Sequence, residues 1–198
     1  MLIRLGCIVE GHGEVLALPI LIRRLAKALN PSLVVGIETR RIPKSQMVQP
    51  GEIERKIDEI TRQIGRSSAV LILLDADQDC PAILARDLLN RCRSEHGDVL
   101  VSVVVAKCEY EAWFLASADS LAGHGGLPDD LSAPDDPESM RGAKEWLSAK
   151  MPQQMRYVET RHQQEFSRLI DLNQARKSRS FRKFEKEILN LISARQKL

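Results

Sequence analysis

No stretch of this 198-residue chain approaches the roughly 18 consecutive apolar residues that a membrane helix needs. The N-terminus also lacks the layout of a secretory signal, so a cytoplasmic protein with no membrane partner is expected. Cysteine is sparse, and Cys7, Cys80, Cys92 and Cys108 form no C-x-x-C pair, which argues against zinc and for reduced, buried thiols. The four histidines are just as scattered, and only His12 lies near a stretch of interest. Charge of one sign is missing as well: a net +2 is too little to argue for a nucleic-acid partner by itself. There is no internal repeat and no low-complexity tract. What remains, 43% hydrophobic and 28% charged residues, suffices for one sizeable core with a small appended lobe.

The chain is organised around residues 7–14, Cys-Ile-Val-Glu-Gly-His-Gly-Glu, where an apolar run stops at Glu10, passes two glycines and reaches Glu14 at the start of a helical pattern. Residues 2–9 suit a strand buried on both faces of a parallel sheet, which places Glu10 at its carboxyl end. Ligands of open α/β sheets bind outside those ends, and Gly11 and Gly13 would let a ligand or another backbone come close. A helix follows from Glu14 to about Asn30, then a strand over 33–42, a loop over 43–51 and a helix over 52–64 closed by Gly65.

The same design recurs twice. Residues 69–74, Ala-Val-Leu-Ile-Leu-Leu, stop at Asp75-Ala76-Asp77, and strand alternation would point both aspartates to one side. Pro81 then opens a helix running to about Arg93. A fourth strand over 99–106 ends at Lys107-Cys108-Glu109-Tyr110-Glu111, and a short helix over 112–115 follows, its aromatics expected to anchor it in the core. Residues 118–138, rich in Gly, Asp and Pro, read as an irregular acidic surface segment. Residues 139–149, 163–169 and 181–194 read as helices, and basic residues dominate beyond Arg156.

Each acid alone has a modest explanation, as a helix cap or a first-turn charge. Three strands all ending at acids is a different matter, because like charges gathered at one sheet edge repel and call for a cation. An all-oxygen donor set points to magnesium or manganese.

Residues 9–14 followed by Asp75-Ala76-Asp77 resemble the signature of the Toprim domain, shared by topoisomerases, bacterial primases, recombination-mediator proteins and the overcoming-lysogenization-defect nucleases. The last branch is the closest in pattern, having a second Glu four residues after the first and a Leu-Pro step, here Leu18-Pro19. Residues 109–116, Glu-Tyr-Glu-Ala-Trp-Phe-Leu-Ala, with Ser180-Phe181, resemble a small stand-alone Toprim-like family of unknown function. The resemblance covers most of residues 1–120. It implies that Glu10 serves acid/base or metal chemistry, that Asp75 and Asp77 bind magnesium, and that Glu14, Glu109 and Glu111 hold a second ion. Cys80 stands where the familiar Asp-x-Asp-x-x-Gly form has glycine. No strand-passage tyrosine or primase zinc module is evident, so those two activities fit poorly.

The expected architecture is a doubly wound α/β core with a mainly parallel four-stranded sheet over residues 1–120, an irregular segment over 121–138, and a helical C-terminal part over 139–198 packed on the core. The expected activity is magnesium- or manganese-dependent cleavage of DNA or RNA, with Lys107 supplying a cation for transition-state charge. By analogy with the nucleases it resembles, the chain would serve an ATPase-linked defence or repair system, such as phage defence. The alternatives are a non-catalytic Toprim-shaped subunit docking to a partner ATPase, and a nucleotide-binding regulator built on the Gly11–Glu14 turn. Homo-oligomerisation is left open.

Overall fold

A computed structural model describes residues 2–65 and 69–196. The strands are β1 (Leu2–Val9), β2 (Val34–Arg41), β3 (Ala69–Asp75) and β4 (Leu100–Ala106). They form one sheet in the order β2-β1-β3-β4, with every neighbouring pair parallel. Helix α1 (Glu14–Leu29) connects β1 to β2, α2 (Lys44–Met47) and α3 (Glu52–Ile64) connect β2 to β3, and α4 (Pro81–Glu95) connects β3 to β4. All seven residues of β3 are buried, as expected of a strand covered on both faces.

Side-chain alternation divides the interior into two cores. Ile8, Val70, Ile72 and Leu74 face Ile53, Ile57 and Ile60 of α3 and Leu88 and Cys92 of α4. Gly6 keeps α3 close, since a Cβ there would run into the Ile60 side chain. On the other face Leu5, Cys7 and Val9 meet Leu18, Leu21, Ile22 and Leu25 of α1.

That second core continues without a break into the rest of the chain. Helices α5 (Ala112–Ala116), α6 (Ala143–Lys150), α7 (Glu159–Leu169), α8 (Leu172–Ala175) and α9 (Arg179–Gln196) complete the fold. Helix α5 is wholly buried, and Trp113 stacks on Phe184 at 5.0 Å between ring centres and meets Phe181 edge-on at 5.4 Å. The aromatics therefore anchor α5, as the sequence suggested. Helix α7 lies along α1, where the Arg24 guanidinium donates to the carbonyls of Ser167 (2.9 Å) and Ile170 (2.7 Å).

Several boundaries move. Helix α7 begins at Glu159 rather than 163, α6 at Ala143 rather than 139, α9 spans Arg179–Gln196 rather than 181–194, α4 runs to Glu95, and the expected 43–51 loop contains the short α2. The 118–138 segment is irregular apart from a single 3₁₀ turn at Ala118–Leu121, and while Asp119, Asp129, Asp130, Asp135 and Asp136 are exposed, Leu121, Leu127 and Leu131 reach into the main core. Among the described residues no helix is long and apolar enough to cross a membrane.

Candidate metal centre at the carboxyl edge of the sheet

Parallel strands all present their carboxyl ends to one edge, so the acids that terminate β1 and β3 and follow β4 arrive together. Glu10 directly follows β1, and its Oε2 accepts the backbone N–H of Asp75 at 3.2 Å. Glu14 turns back over the strand-to-helix turn, and its Oε2 accepts the N–H groups of Glu10 and Gly11, both at 3.2 Å. Asp75 is buried at the end of β3, with Oδ1 accepting the Tyr110 N–H at 2.8 Å. Glu111 is 0% exposed; its Oε1 accepts from the Tyr157 hydroxyl (3.0 Å) and Gln163 Nε2 (2.8 Å). Its Oε2 has no hydrogen-bond partner, and Lys144 Nζ stands 4.0 Å away.

Burial is the largest cause raising all four carboxyls above their ordinary values. Mutual repulsion adds to it: Glu111 and Glu10 act on Glu14, pushing it up to about 8, while Glu14, Glu111 and Glu10 act on Asp75. The opposing cation is Lys144, which also pairs with Glu159 at 2.7 Å. Burial works against the charge on Lys144, but the attraction of Glu111, Glu159 and Asp75 outweighs it and raises that amine's pKa.

The structure separates other expected members of the site. Asp77 does not share a face with Asp75, because β3 ends at Asp75 and Asp77 takes a left-handed backbone with φ 51°. Its exposed carboxylate pairs with Lys44 at 2.8 Å, as does Asp79 at 3.0 Å, and Lys44 also donates to the Ala76 carbonyl at 2.9 Å. Asp77 thus sits at the rim, near enough to raise the Glu10 pKa. Among the described residues the other non-glycine with positive φ is Cys108 (60°), whose carbonyl accepts the Asp77 N–H, so backbone strain collects at this edge.

Glu109 is engaged elsewhere: its oxygens accept the N–H groups of Gly142 (3.1 Å) and Lys144 (3.4 Å), which caps α6 and fixes the base of the Lys144 side chain. Lys107 lines a neighbouring cavity with Cys80 and Arg179, while the lysines acting on the carboxylates are Lys144 and Lys44. Gly13 serves the approach of another backbone, since a Cβ there would lie 2.6 Å from the Glu159 carbonyl oxygen and strike the Gln163 amide. That approach brings Gln163 to Glu111. Lys144, Tyr157, Gln163 and Lys44 were not singled out from the sequence, where nothing local marks them.

Among the described residues no three His, Cys, Asp or Glu side chains form a ready-made metal-binding group. One oxygen of Glu14 and one of Asp75 already accept backbone N–H groups. In donor type and charge the residues do fit a hard divalent cation, with four carboxylates, two nearby lysines and a Glu111 Oε2 that accepts no hydrogen bond among the described residues.

The fold and site together describe a parallel α/β domain whose strands end in a buried carboxylate cluster. The chain belongs to the family described as a domain of unknown function, DUF4276, which matches residues 9–189. No curated protein and no solved structure matches it.

Proposed function

We propose that the chain is a magnesium- or manganese-dependent phosphodiesterase acting on nucleic acid. The observation that carries this reading is the cluster of half-buried Glu10 with buried Glu14, Asp75 and Glu111, four acids faced by Lys144 and, at Glu10, by Lys44. Gathering carboxylates out of water is unfavourable, and burial with mutual repulsion raises their pKa values accordingly. Occupancy by a divalent ion offsets it. Glu10, Glu14, Asp75 and Glu111 would hold the ion, with Asp77 at the rim once released from Lys44, whereas Glu109 acts as a helix cap. A bound ion supplies charge for an anionic substrate and hydroxide near neutral pH. Lys144 and Lys44 draw the substrate's negative charge to this edge, and Tyr157 and Gln163 orient Glu111.

The test is cleavage of labelled single- and double-stranded DNA and RNA in magnesium, manganese or chelator, by the parent and by Glu10→Gln and Asp75→Asn. Metal-dependent cleavage that both substitutions abolish supports the reading; full activity in chelator overturns it. The resemblance to ATPase-linked nucleases adds a partner ATPase, in a cytoplasmic defence or repair system, to the proposal. A second reading, a non-catalytic subunit that docks to such an ATPase, is favoured by the hydrogen bonds already satisfying Glu14, Asp75 and Glu109. Recovery of an ATPase by pull-down, with no cleavage under any metal, selects it.

A further inference from the structure

The sheet ends differently at its two edges. Strand β4 is closed: α4 and α9 pack beside it, and residues 101–106 are at most 7% exposed. Strand β2, at the opposite edge, is open. Residues 36–40 are half-buried and Arg41 is exposed, and among the described residues no other backbone pairs with the outer side of the strand. An open edge is a template for another strand, and proteins blunt one with proline, a bulge or shortness. Strand β2 has none of these: it is eight residues long, lacks proline, and keeps its register with β1 from Val34 to Arg41.

The Ile42 N–H donates to the Val9 carbonyl at 2.9 Å, which fixes the parity of the strand. Even-numbered residues turn their backbone groups towards β1, so Val35, Ile37, Thr39 and Arg41 turn theirs outward. The Thr39 carbonyl accordingly accepts from a side chain, Arg40 Nη1, at 3.0 Å. Val35 and Ile37 pack on the α1 side of the sheet. Glu38 and Arg40 lie on the α3 side, where they pair with each other and Arg40 reaches Gln63 of α3. Opposite charges two residues apart are their own complement when the strand is reversed, so the strand that matches β2 is a second β2.

Parity and charge together select one register. Outward residues pair only with outward residues, which leaves antiparallel junctions turning about Ile37, Glu38, Thr39 or Arg40. A junction about Glu38 or Arg40 sets like charges opposite each other. One about Ile37 faces Glu38 with Gly36 and Arg40 with Val34. Only the junction about Thr39 sets Glu38 opposite Arg40 on both sides, in the closely spaced pairs that lack backbone hydrogen bonds. Thr39 opposite its copy, and Ile37 opposite Arg41, then exchange the N–H···O=C bonds.

We propose that two copies of this chain join through β2, antiparallel about Thr39, so that two four-stranded sheets become one of eight strands. The dimer does not depend on the phosphodiesterase reading. An antiparallel junction points the two carboxylate edges in opposite directions, so neither covers the other.

The test is the mass of the full chain by sedimentation equilibrium from micromolar concentrations upwards. At tens of micromolar the parent should have twice the 22.3 kDa of one chain. Glu38→Arg and Arg40→Glu should each weaken dimerisation at least about tenfold, because like charges then lie opposite at both sites. Mixed together, these two variants should pair with each other at about the parent's affinity, and the Glu38→Arg, Arg40→Glu double variant should do so with itself. Thr39→Pro removes the N–H at the two-fold axis, from an edge position that tolerates proline. It should be monomeric with an unchanged circular dichroism spectrum; where it fails to fold, the charge variants decide. A parent that stays monomeric overturns the proposal and leaves the edge to a strand of another protein. A dimer that the charge variants leave unchanged, or charge variants that do not recover on mixing, overturns it as well.

Discussion

Replacing Glu14 by Gln should stabilise the metal-free protein at pH 8 and flatten its dependence on pH. Burial, helped by repulsion from Glu111 and Glu10, raises the Glu14 carboxyl from 4.5 to about 8 against the pull of the Gly11 and Glu10 N–H groups. Its folded pKa therefore lies above its unfolded one. The contribution to stability is full below pH 4.5 and is lost as pH rises towards 8. At ~1.4 kcal/mol per pH unit the loss across that window is roughly 5 kcal/mol, comparable to the whole stability of a marginal domain. Gln keeps an oxygen for the Glu10 and Gly11 N–H groups but does not titrate. Asp75, Glu10 and Glu111 shift in the same direction, so the variant keeps part of the slope. His162, held neutral by burial, contributes with the opposite sign, losing stability as pH falls below 6.5. Since it is present in both proteins, the difference between them cancels it.

The assay is thermal or urea unfolding of parent and Glu14→Gln in chelator between pH 5 and 9. At ~2–4 °C per kcal/mol for a chain of this size, the variant should gain roughly 10–20 °C at pH 8. Manganese should then raise the parent's midpoint more than the variant's. A metal-free parent more stable at pH 8 than at pH 5, or a Gln variant less stable than parent at pH 8, would refute the reasoning.

Asp75→Asn should abolish metal-dependent cleavage with the fold intact by circular dichroism, whereas Glu109→Gln should leave most of the activity and lower the unfolding midpoint modestly through a weakened cap on α6. Cleavage equally lost in both would return Glu109 to the site. Gly13→Ala should cost about 1–3 kcal/mol by overpacking against the Glu159 carbonyl. By displacing α7 it should also loosen Gln163 from Glu111, visible as lower manganese affinity; unchanged stability would mean that α7 gives way freely.

Much of the sheet was legible because its strands obey simple periodicities. Residues 69–74 are apolar throughout since both faces of β3 are covered, and Asp75 marks where that cover ends. The expectation that Asp77 shares a face with Asp75 failed for a definite reason: alternation holds only in extended backbone, and φ at Asp77 is 51°. Glu109 and Glu111, two apart, were read together, yet a turn between them sends one to α6 and the other into the core. The leucines of the 118–138 segment were hidden by its glycine and proline content, which describes the backbone and says nothing about three side chains reaching inward. Lys144, Tyr157 and Gln163 come to Glu111 only through packing of α6 and α7 on the sheet. No local pattern encodes that.

This division between acids and their partners bears on whether residues 1–120 form a domain of their own. The carboxylates lie in that part, but the groups that compensate Glu111, namely Tyr157, Gln163 and Lys144, lie beyond it. Trp113 and Phe114 likewise pack against Phe181, Phe184 and Phe166. A fragment ending at residue 120 would expose α5 and one side of α1, and would leave Glu111 without its donors. We therefore expect the fragment to lack cooperative unfolding and to bind a hydrophobic dye such as ANS, while the full chain melts in one transition. Adding residues 139–198 as a separate peptide should restore helical content and a transition only if the strap carrying Leu127 and Leu131 is included. A fragment that melts cooperatively by itself would show that the sheet and its carboxylates stand without the C-terminal helices.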